Sequence, residues 1–190
     1  PLSDRNRVDE AALERLVEHI LGGGVHGLFV LGTTGEAPGL SETTKRLVVE
    51  RTLKQVAGRV PVLVGVTDTS LEDALALAGH AGECGADAVV VAPPPYFPVH
   101  QDDLQRYFAA FAEESPLPVM LYNIPSHAKN PIAYETVEAL IELPNVAGLK
   151  DSAGDMLQYN RFITLFAGRA DLSLLMGPEE LLAESVLMGG

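Results

Sequence analysis

The chain has 190 residues, 47% of them hydrophobic, and its 26 acidic against 13 basic residues give a formal net charge of −13. This length and apolar content suffice for the core of one globular domain. The negative charge argues against binding to nucleic acid or to an anionic membrane surface.

Three features of the sequence bear on the cellular compartment: its hydrophobic stretches, its first residues and its cysteine content. No stretch approaches the roughly 20 apolar residues of a membrane span, and the first residues, "PLSDRNRVDE", lack the pattern of a signal peptide. The single cysteine, Cys84, excludes an internal disulfide and suits a reducing compartment. We therefore expect a cytoplasmic protein.

Predicted helices and strands alternate along the chain. The first helix is indicated by apolar residues at helical spacing, namely Leu13, Leu16, Val17, Ile20 and Leu21. Short runs rich in Val, Leu and Ile predict buried strands in "GLFVLG", "VPVLVGV", "ADAVVVAP", "PVMLYNIP", "NVAGLK" and "DLSLLMG". Further helices are predicted over 41–56, 70–84 (with a capping box from Ser70 to Asp73) and 102–114, and in "YETVEALIEL", "MLQYNRFITLF" and "PEELLAESVLMG".

This repeating order predicts a parallel sheet covered by helices, either doubly wound or closed as a (β/α)₈ barrel. Only six strands are visible, and a barrel of that type takes about 250 residues. The chain opens directly on a helix in this interpretation and stops after another. We expect one domain, residues 1–190, that is incomplete at both ends.

Unusual residues follow four of the predicted strands, where the working groups of parallel α/β folds lie. They form "GTTGE" (Gly32–Glu36), a loop containing Tyr96, the segment "YNIPSHAKN" after the strand that ends near Tyr122, and "KDSAGD" from Lys150. Taken alone, the first of these is better explained by a turn before a helix than by an anion-binding nest. Each tyrosine, taken alone, is better explained by packing.

The lysines separate the two interpretations more sharply. Lys45 and Lys54 fall on a predicted helix and Lys129 in a polar loop, so that only Lys150 ends an apolar strand. Burial there disfavours the ammonium form and makes a nucleophilic amine available. Gly148, two residues earlier, is expected to leave room beside the lysine stem.

Other catalytic classes lack their motifs. The five histidines show no H-E-x-x-H or similar spacing, and there is no cluster of cysteine and histidine. A G-x-S-x-G elbow and a P-loop are also absent. We expect neither a metal nor a cofactor.

Three motifs together carry a resemblance. "GTTGE", "YNIP" (Tyr122–Pro125) and "GLKDSAGD" around Lys150, in this order and spacing, resemble the dihydrodipicolinate synthase / N-acetylneuraminate lyase family over essentially the whole chain. The resemblance implies a (β/α)₈ TIM barrel without its first and eighth strands and C-terminal helices. It also implies a metal-independent class I aldolase or lyase that acts on pyruvate or another 2-oxo acid, as a dimer or tetramer.

The resemblance assigns roles to individual residues. Lys150 would form the imine with the 2-oxo acid, and a protonated imine is an electron sink that lets an adjacent carbon–carbon bond form or break. Tyr122 would move protons, and Thr33 and Thr34 would link it to a proton relay. Thr33 and Thr34, with Gly32 and Gly177, would bind the substrate. Tyr96 would reach across a dimer interface into the neighbouring site.

One position departs from the family pattern. His127 stands where typical dihydrodipicolinate synthases carry an arginine that holds the carboxylate of the aldehyde substrate, and histidine lacks the bidentate fork of arginine. We therefore predict poor use of aspartate semialdehyde, although Lys129 nearby offers a point charge. The sequence leaves open a sugar acid or another aldehyde as substrate, dihydrodipicolinate synthesis, a non-catalytic 2-oxo-acid-binding barrel, and a phosphate-binding barrel.

Overall fold

The computed structural model describes all residues from Pro1 to Gly190. The chain opens on an antiparallel hairpin of β1 (Leu2–Asp4) and β2 (Arg7–Val8). The expectation that it opens directly on a helix was therefore wrong. β1 is exposed throughout, so no apolar alternation marks it in the sequence.

The main sheet has six strands, all parallel and hydrogen-bonded in chain order. They are β3 (Leu28–Val30), β4 (Val62–Gly65), β5 (Ala88–Val91), β6 (Val119–Asn123), β7 (Val146–Asp151) and β8 (Ser173–Met176). Each lies inside one of the six apolar runs, except that β7 extends one residue further, to Asp151, and this agreement confirms those predictions.

Eight helices connect or follow the strands, and all except the shortest lie within or close to predicted segments. They are α1 (Glu10–Gly22), α2 (Glu42–Val56), α3 (Leu71–Glu83), α4 (Gln101–Glu114), α5 (Pro125–Ala128), α6 (Tyr134–Leu140), α7 (Met156–Phe166) and α8 (Leu182–Met188), with 3₁₀ turns at Ala37–Gly39 and Glu179–Leu181. The Ser70 hydroxyl accepts a hydrogen bond from the Asp73 backbone N–H, which confirms the predicted cap. None of these helices has the length and apolarity needed to cross a membrane.

The sheet is curled rather than flat. Strands in a sheet lie about 4.8 Å apart, so β3 and β7, four positions apart, would be separated by about 19 Å if the sheet were flat. Instead, the Lys150 Nζ on β7 lies 4.9 Å from the centre of the Phe29 ring on β3. The first and fifth strands of the sheet therefore face each other, as in a barrel.

Alternation of side chains divides the apolar residues into two layers. One face of each strand packs against the helices and forms the larger buried cluster. The other face forms a smaller cluster inside the curl, containing Val90, Met120, Tyr122 and Ile124, with Phe29 packed against it. Covering both faces explains the nearly continuous apolar runs in the sequence.

The structure gives a different reason for a glycine at position 148 from the one expected. Its φ of +150° is unusual for a residue with a side chain, and a Cβ there would collide with the backbone carbonyl of Ser173 on β8. The glycine therefore lets β8 approach β7, rather than making room for the stem of Lys150. A register shift in the β6–β7 pair, where Val119 pairs with Val146 and Met120 with Gly148, lies at the same place.

Candidate active site

Lys150 and Tyr122 meet inside the curl at the carboxyl ends of their strands. They are register partners on β7 and β6, so both side chains point to the same face of the sheet. The Lys150 Nζ donates to the Tyr122 hydroxyl over 3.3 Å, and the Thr33 hydroxyl lies 3.4 Å from the same oxygen. The structure thus brings the predicted lysine, tyrosine and one threonine into a connected row.

The lysine head lies among aromatic rings. Its Nζ is 4.3 Å from the centre of the Tyr122 ring and 4.9 Å from that of Phe29, and these two rings meet edge to face. Ring faces attract a cation without neutralising it. Phe29 is a site residue that the sequence did not single out, because its position within an apolar strand looks like ordinary core.

The ion pairing of the lysines distinguishes Lys150 from Lys45. The buried Lys45 lies 3.3 Å from a Glu42 carboxylate oxygen and 3.8 Å from one of Asp68. Lys150 has no carboxylate within 4.0 Å. The Lys150 amine is therefore not held in an ion pair, which leaves it able to approach a carbonyl carbon as a nucleophile.

The turn after β3 places the two threonines differently. Leu31 and Glu36 both have left-handed backbone, with φ of 60° and 53°, and the Glu36 N–H donates to the Thr33 carbonyl over 2.9 Å. Thr33 is thereby directed at Tyr122, whereas Thr34 is exposed. Backbone outliers persist where the surroundings enforce them, and functional sites are where they cluster.

A cavity of about 280 Å³ opens beside this row. Its walls include Gly32, Thr33, Tyr122 and His127. Lys150 lies one strand beyond and contacts the wall at the Tyr122 hydroxyl. The cavity is at the small end of the range for ligand pockets, which suits a small acid.

His127 and Lys129 lie on and just after the short helix α5. His127 is exposed, lines the cavity and has its Nδ1 within 2.9 Å of the Ser126 hydroxyl. Lys129 is exposed at the left-handed end of the helix, with φ of 63°, and is not among the cavity residues. The sequence missed α5 because four residues that begin at a proline read as a loop.

Tyr96 lies apart from the row in this chain. It is 71% exposed, has φ of 94° and packs edge to face against Phe97, which is 69% exposed. It makes no hydrogen bond to Tyr122 or Thr33. Its predicted contribution to a neighbouring copy stays a prediction.

Gly177 follows β8 and lies beside the loop that leaves Lys150. Its N–H donates to the Asp151 carbonyl over 2.7 Å, and a Cβ there would collide with the Ser152 hydroxyl. The position thus requires a residue without a side chain for close approach of the two loops. Its predicted contact with substrate stays a prediction.

Lys45 and Asp68 also line the cavity, and the sequence missed both. Lys45 was set aside because it lies on a helix, and its burial depends on tertiary packing. Asp68 was detectable, since it lies in "TDTS" directly after the predicted strand "VPVLVGV", at the same end of the sheet as the other signals.

A curled parallel sheet with helices outside, and a lysine and tyrosine at the carboxyl ends of adjacent strands, define an α/β protein with a TIM-barrel-like arrangement. The sequence model of the dihydrodipicolinate synthetase family matches residues 1–190. The chain belongs to this family, which confirms the resemblance of the three motifs.

Individual relatives support this family assignment. A 4-hydroxy-tetrahydrodipicolinate synthase of Bacillus velezensis is 40% identical over 156 residues, which are 82% of this chain and 54% of that protein. The solved dihydrodipicolinate synthase of Bacteroides thetaiotaomicron is 43% identical with a TM-score of 0.95, over 100% of this chain and 64% of that one.

A dihydrodipicolinate synthase of Acinetobacter baumannii, solved in complex with pyruvate, is 31% identical with a TM-score of 0.93, over 100% of this chain and 65% of that one. The chain spans about half to three fifths of the length of the curated relatives it matches.

Proposed function

We propose that the chain carries the reacting centre of a metal-independent class I aldolase or lyase that acts on pyruvate or a related 2-oxo acid. The observation that carries the proposal is the position of Lys150: its Nζ lies 3.3 Å from the Tyr122 hydroxyl and has no carboxylate partner. A relative that was solved with bound pyruvate supports the choice of substrate.

Each step has a residue in place. The neutral Lys150 amine attacks the 2-oxo carbon, Tyr122 protonates the departing oxygen, and water leaves as the imine forms. The Tyr122 phenolate then takes a proton from the adjacent carbon, which gives an enamine. The enamine attacks an aldehyde, whose oxygen receives that proton from Tyr122, and the reverse sequence cleaves the same bond. Hydrolysis of the imine returns the free lysine.

The turn at "GTTGE" is proposed to bind the substrate carboxylate. Backbone N–H groups in a tight turn form an anion-binding concavity, and Gly32 and Thr33 line the cavity. Thr34 and Gly177 are proposed to complete this contact. Thr33 also links to Tyr122 through the 3.4 Å contact between hydroxyls, so it can relay the proton.

The acceptor aldehyde is proposed to bind near His127, which lines the cavity beside Tyr122. Relatives named 4-hydroxy-tetrahydrodipicolinate synthase favour a second candidate, the condensation of pyruvate with aspartate semialdehyde. The histidine favours an acceptor that does not need a bidentate cation. The exposed Lys129 is the nearby charge that would serve the second candidate.

The assembly is proposed to be a homodimer or tetramer in the cytoplasm, as the family resemblance and the single cysteine suggest. The exposed pair Tyr96 and Phe97 supports a contact with a second copy. We further propose that residues 1–190 are one domain, whose parallel strands β3–β8 correspond to six of the eight strands of a (β/α)₈ barrel.

Two assays test the proposal. One measures pyruvate release from a panel of sugar acids, and the other measures condensation of pyruvate with aspartate semialdehyde. Lys150→Ala should abolish any turnover found, whereas Lys54→Ala, at an exposed lysine of α2, should retain it. Turnover that survives Lys150→Ala would refute the imine mechanism.

A further inference from the structure

A polar pair lies directly behind the lysine and tyrosine. Asn123 follows Tyr122 and Asp151 follows Lys150, and the two are register partners on β6 and β7. Alternation turns them to the opposite, helix-covered face of the sheet. They are 0% and 1% exposed, and the Asn123 Nδ2 donates to the Asp151 carboxylate over 2.6 Å.

The same face of the same strands is otherwise apolar. Two residues earlier, Leu121 and Leu149 form the equivalent register pair and are fully buried. Burial raises the pKa of Asp151, and the hydrogen bond from Asn123 opposes that effect. A polar pair at this position is therefore costly compared with two more leucines, so packing does not explain it.

The hydrogen bonds of the pair tie several loops to the strand ends. The Asn123 side-chain oxygen accepts from the Ile132 N–H over 3.0 Å, and its backbone carbonyl accepts from the Ser152 N–H over 2.8 Å. The Asp151 carbonyl accepts from the Gly177 N–H over 2.7 Å. The backbone is thus fixed immediately after both Tyr122 and Lys150.

We propose that Asn123 and Asp151 are positioning residues, which hold the Tyr122 hydroxyl and the Lys150 amine at the separation that imine formation requires. This inference rests on the proposed imine chemistry. A cross-strand bond one residue beyond a reacting pair resists sliding and splaying of the two strands at that point. Small displacements matter, because misplacement by about 1 Å can cost about 10²-fold in rate.

The test is the rate at which pyruvate and borohydride modify Lys150, together with kcat and KM for pyruvate. The double variant Asn123→Leu/Asp151→Leu continues the apolar pattern and keeps no buried charge, but it leaves the buried Ile132 N–H without its acceptor, so its thermal stability should fall while the protein stays folded. Its trapping rate and kcat should fall by about 10²-fold, with KM little changed.

Two further variants separate positioning from stability. The exchange Asn123→Asp/Asp151→Asn keeps one amide opposite one carboxylate and should restore the rate. Asn145→Leu removes hydrogen bonds to the Ala112, Ser115 and Leu117 carbonyls at the other end of β7, and should lower stability without slowing trapping.

The outcomes are distinct. The positioning role alone would be overturned if the double-leucine variant were trapped as fast as the protein without substitutions. It would also be overturned if the exchange variant were trapped as slowly as a folded double-leucine variant. An equal slowing in Asn145→Leu would also overturn it, because general destabilisation would then explain the effect. Absence of any trapping in the unmodified protein would overturn the proposed function, and this inference with it.

Discussion

Polar side chains at the amino end of the parallel strands make shorter hydrogen bonds than those of the row inside the curl at the carboxyl end. At the amino end, Asn145 donates to three backbone carbonyls at 2.9 to 3.1 Å, and the Asp87 carboxylate accepts from the Val62 N–H over 2.8 Å. At the carboxyl end, the contacts of Tyr122 with Lys150 and Thr33 are 3.3 and 3.4 Å long and border a cavity.

The difference distinguishes side chains that stabilise the fold from side chains that can contact a ligand. Short bonds between groups that are already paired leave no capacity for a ligand, so the amino end stabilises the fold. Long contacts among groups that face a cavity can tighten when substrate binds, as catalytic hydrogen bonds often do. The carboxyl end of a parallel barrel is also where its enzymes keep their active sites.

Among substitutions that leave Lys150 in place, the largest effect is expected at Tyr122. Tyr122→Phe should slow turnover by roughly 10²–10⁴, the usual range for loss of a general acid–base group. The matched control is Tyr159→Phe, which removes a 2.9 Å hydrogen bond to Ser185 between α7 and α8 and should leave kcat unchanged. Steady-state kinetics would measure kcat in both variants. Equal losses of kcat would show that Tyr122, at the cavity, matters no more for turnover than Tyr159 in the helical layer.

Acceptor specificity is expected to change at the mouth of the cavity. His127→Arg should raise kcat/KM for aspartate semialdehyde by about 10- to 100-fold, since charge-assisted bidentate bonds to its carboxylate become available. The same substitution should leave kcat/KM unchanged for an aldehyde that has no carboxylate. Efficient condensation by the unmodified protein, or no gain in the variant, would show that the missing arginine does not limit this reaction.

The amino end should respond in stability alone. Asn145→Leu should lower the free energy of unfolding by about 1–3 kcal/mol, because it removes the side-chain donor that three partly buried backbone carbonyls share. Denaturant unfolding measures this change, and kcat should stay the same. A variant of normal stability but reduced kcat would reverse the assignment of the two strand ends.

The smallest effect concerns a buried hydroxyl that does not line the cavity. The Tyr107 hydroxyl has no hydrogen-bond partner, and burial, with a smaller contribution from the charge of Asp68, raises the pKa of Tyr107 to about 12. Tyr107→Phe should therefore stabilise the protein by about 1 kcal/mol at neutral pH. An unpaired polar group does not by itself indicate function, so kcat should not change.

The same group predicts an alkaline pH dependence. Its folded pKa lies above the ordinary value of about 10, so the folded state holds the proton more tightly than the unfolded state. As the pH rises from about 10 to about 12, the unfolded state loses this proton before the folded state does, so the free energy of unfolding falls over that interval and is independent of this group below it. Tyr107→Phe should flatten the loss of stability over that interval, and an unchanged slope would show that other groups cause it.

Apolar patterns in the sequence were sufficient to predict the longer helices and the parallel strands, and insufficient for the shortest elements. Six apolar runs located the six parallel strands, because burial on both faces leaves a continuous run of apolar residues. The hairpin β1–β2 and the helix α5 were missed, since each is too short for a repeat to show. The reason for Gly148 was also misjudged, because a clash with β8 is a tertiary contact.

The candidate site was predictable only in part, for physical reasons. Lys150 and Tyr122 stand out because polar groups end apolar strands. The different settings of Thr33 and Thr34 depend on left-handed backbone in their turn. The burial of Lys45 was overlooked, although Lys45 shares a face of α2 with Val49 and Leu53 at helical spacing.

The most direct measurement is the mass of the protein after incubation with pyruvate and borohydride. Hydride reduces an imine to a stable secondary amine, so an unprotonated Lys150 should acquire one pyruvyl-derived group per chain, on the peptide that contains it. Lys150→Ala should acquire none. A label on Lys45, Lys54 or Lys129, or no label on the unmodified protein, would contradict the assignment of Lys150 as the nucleophile.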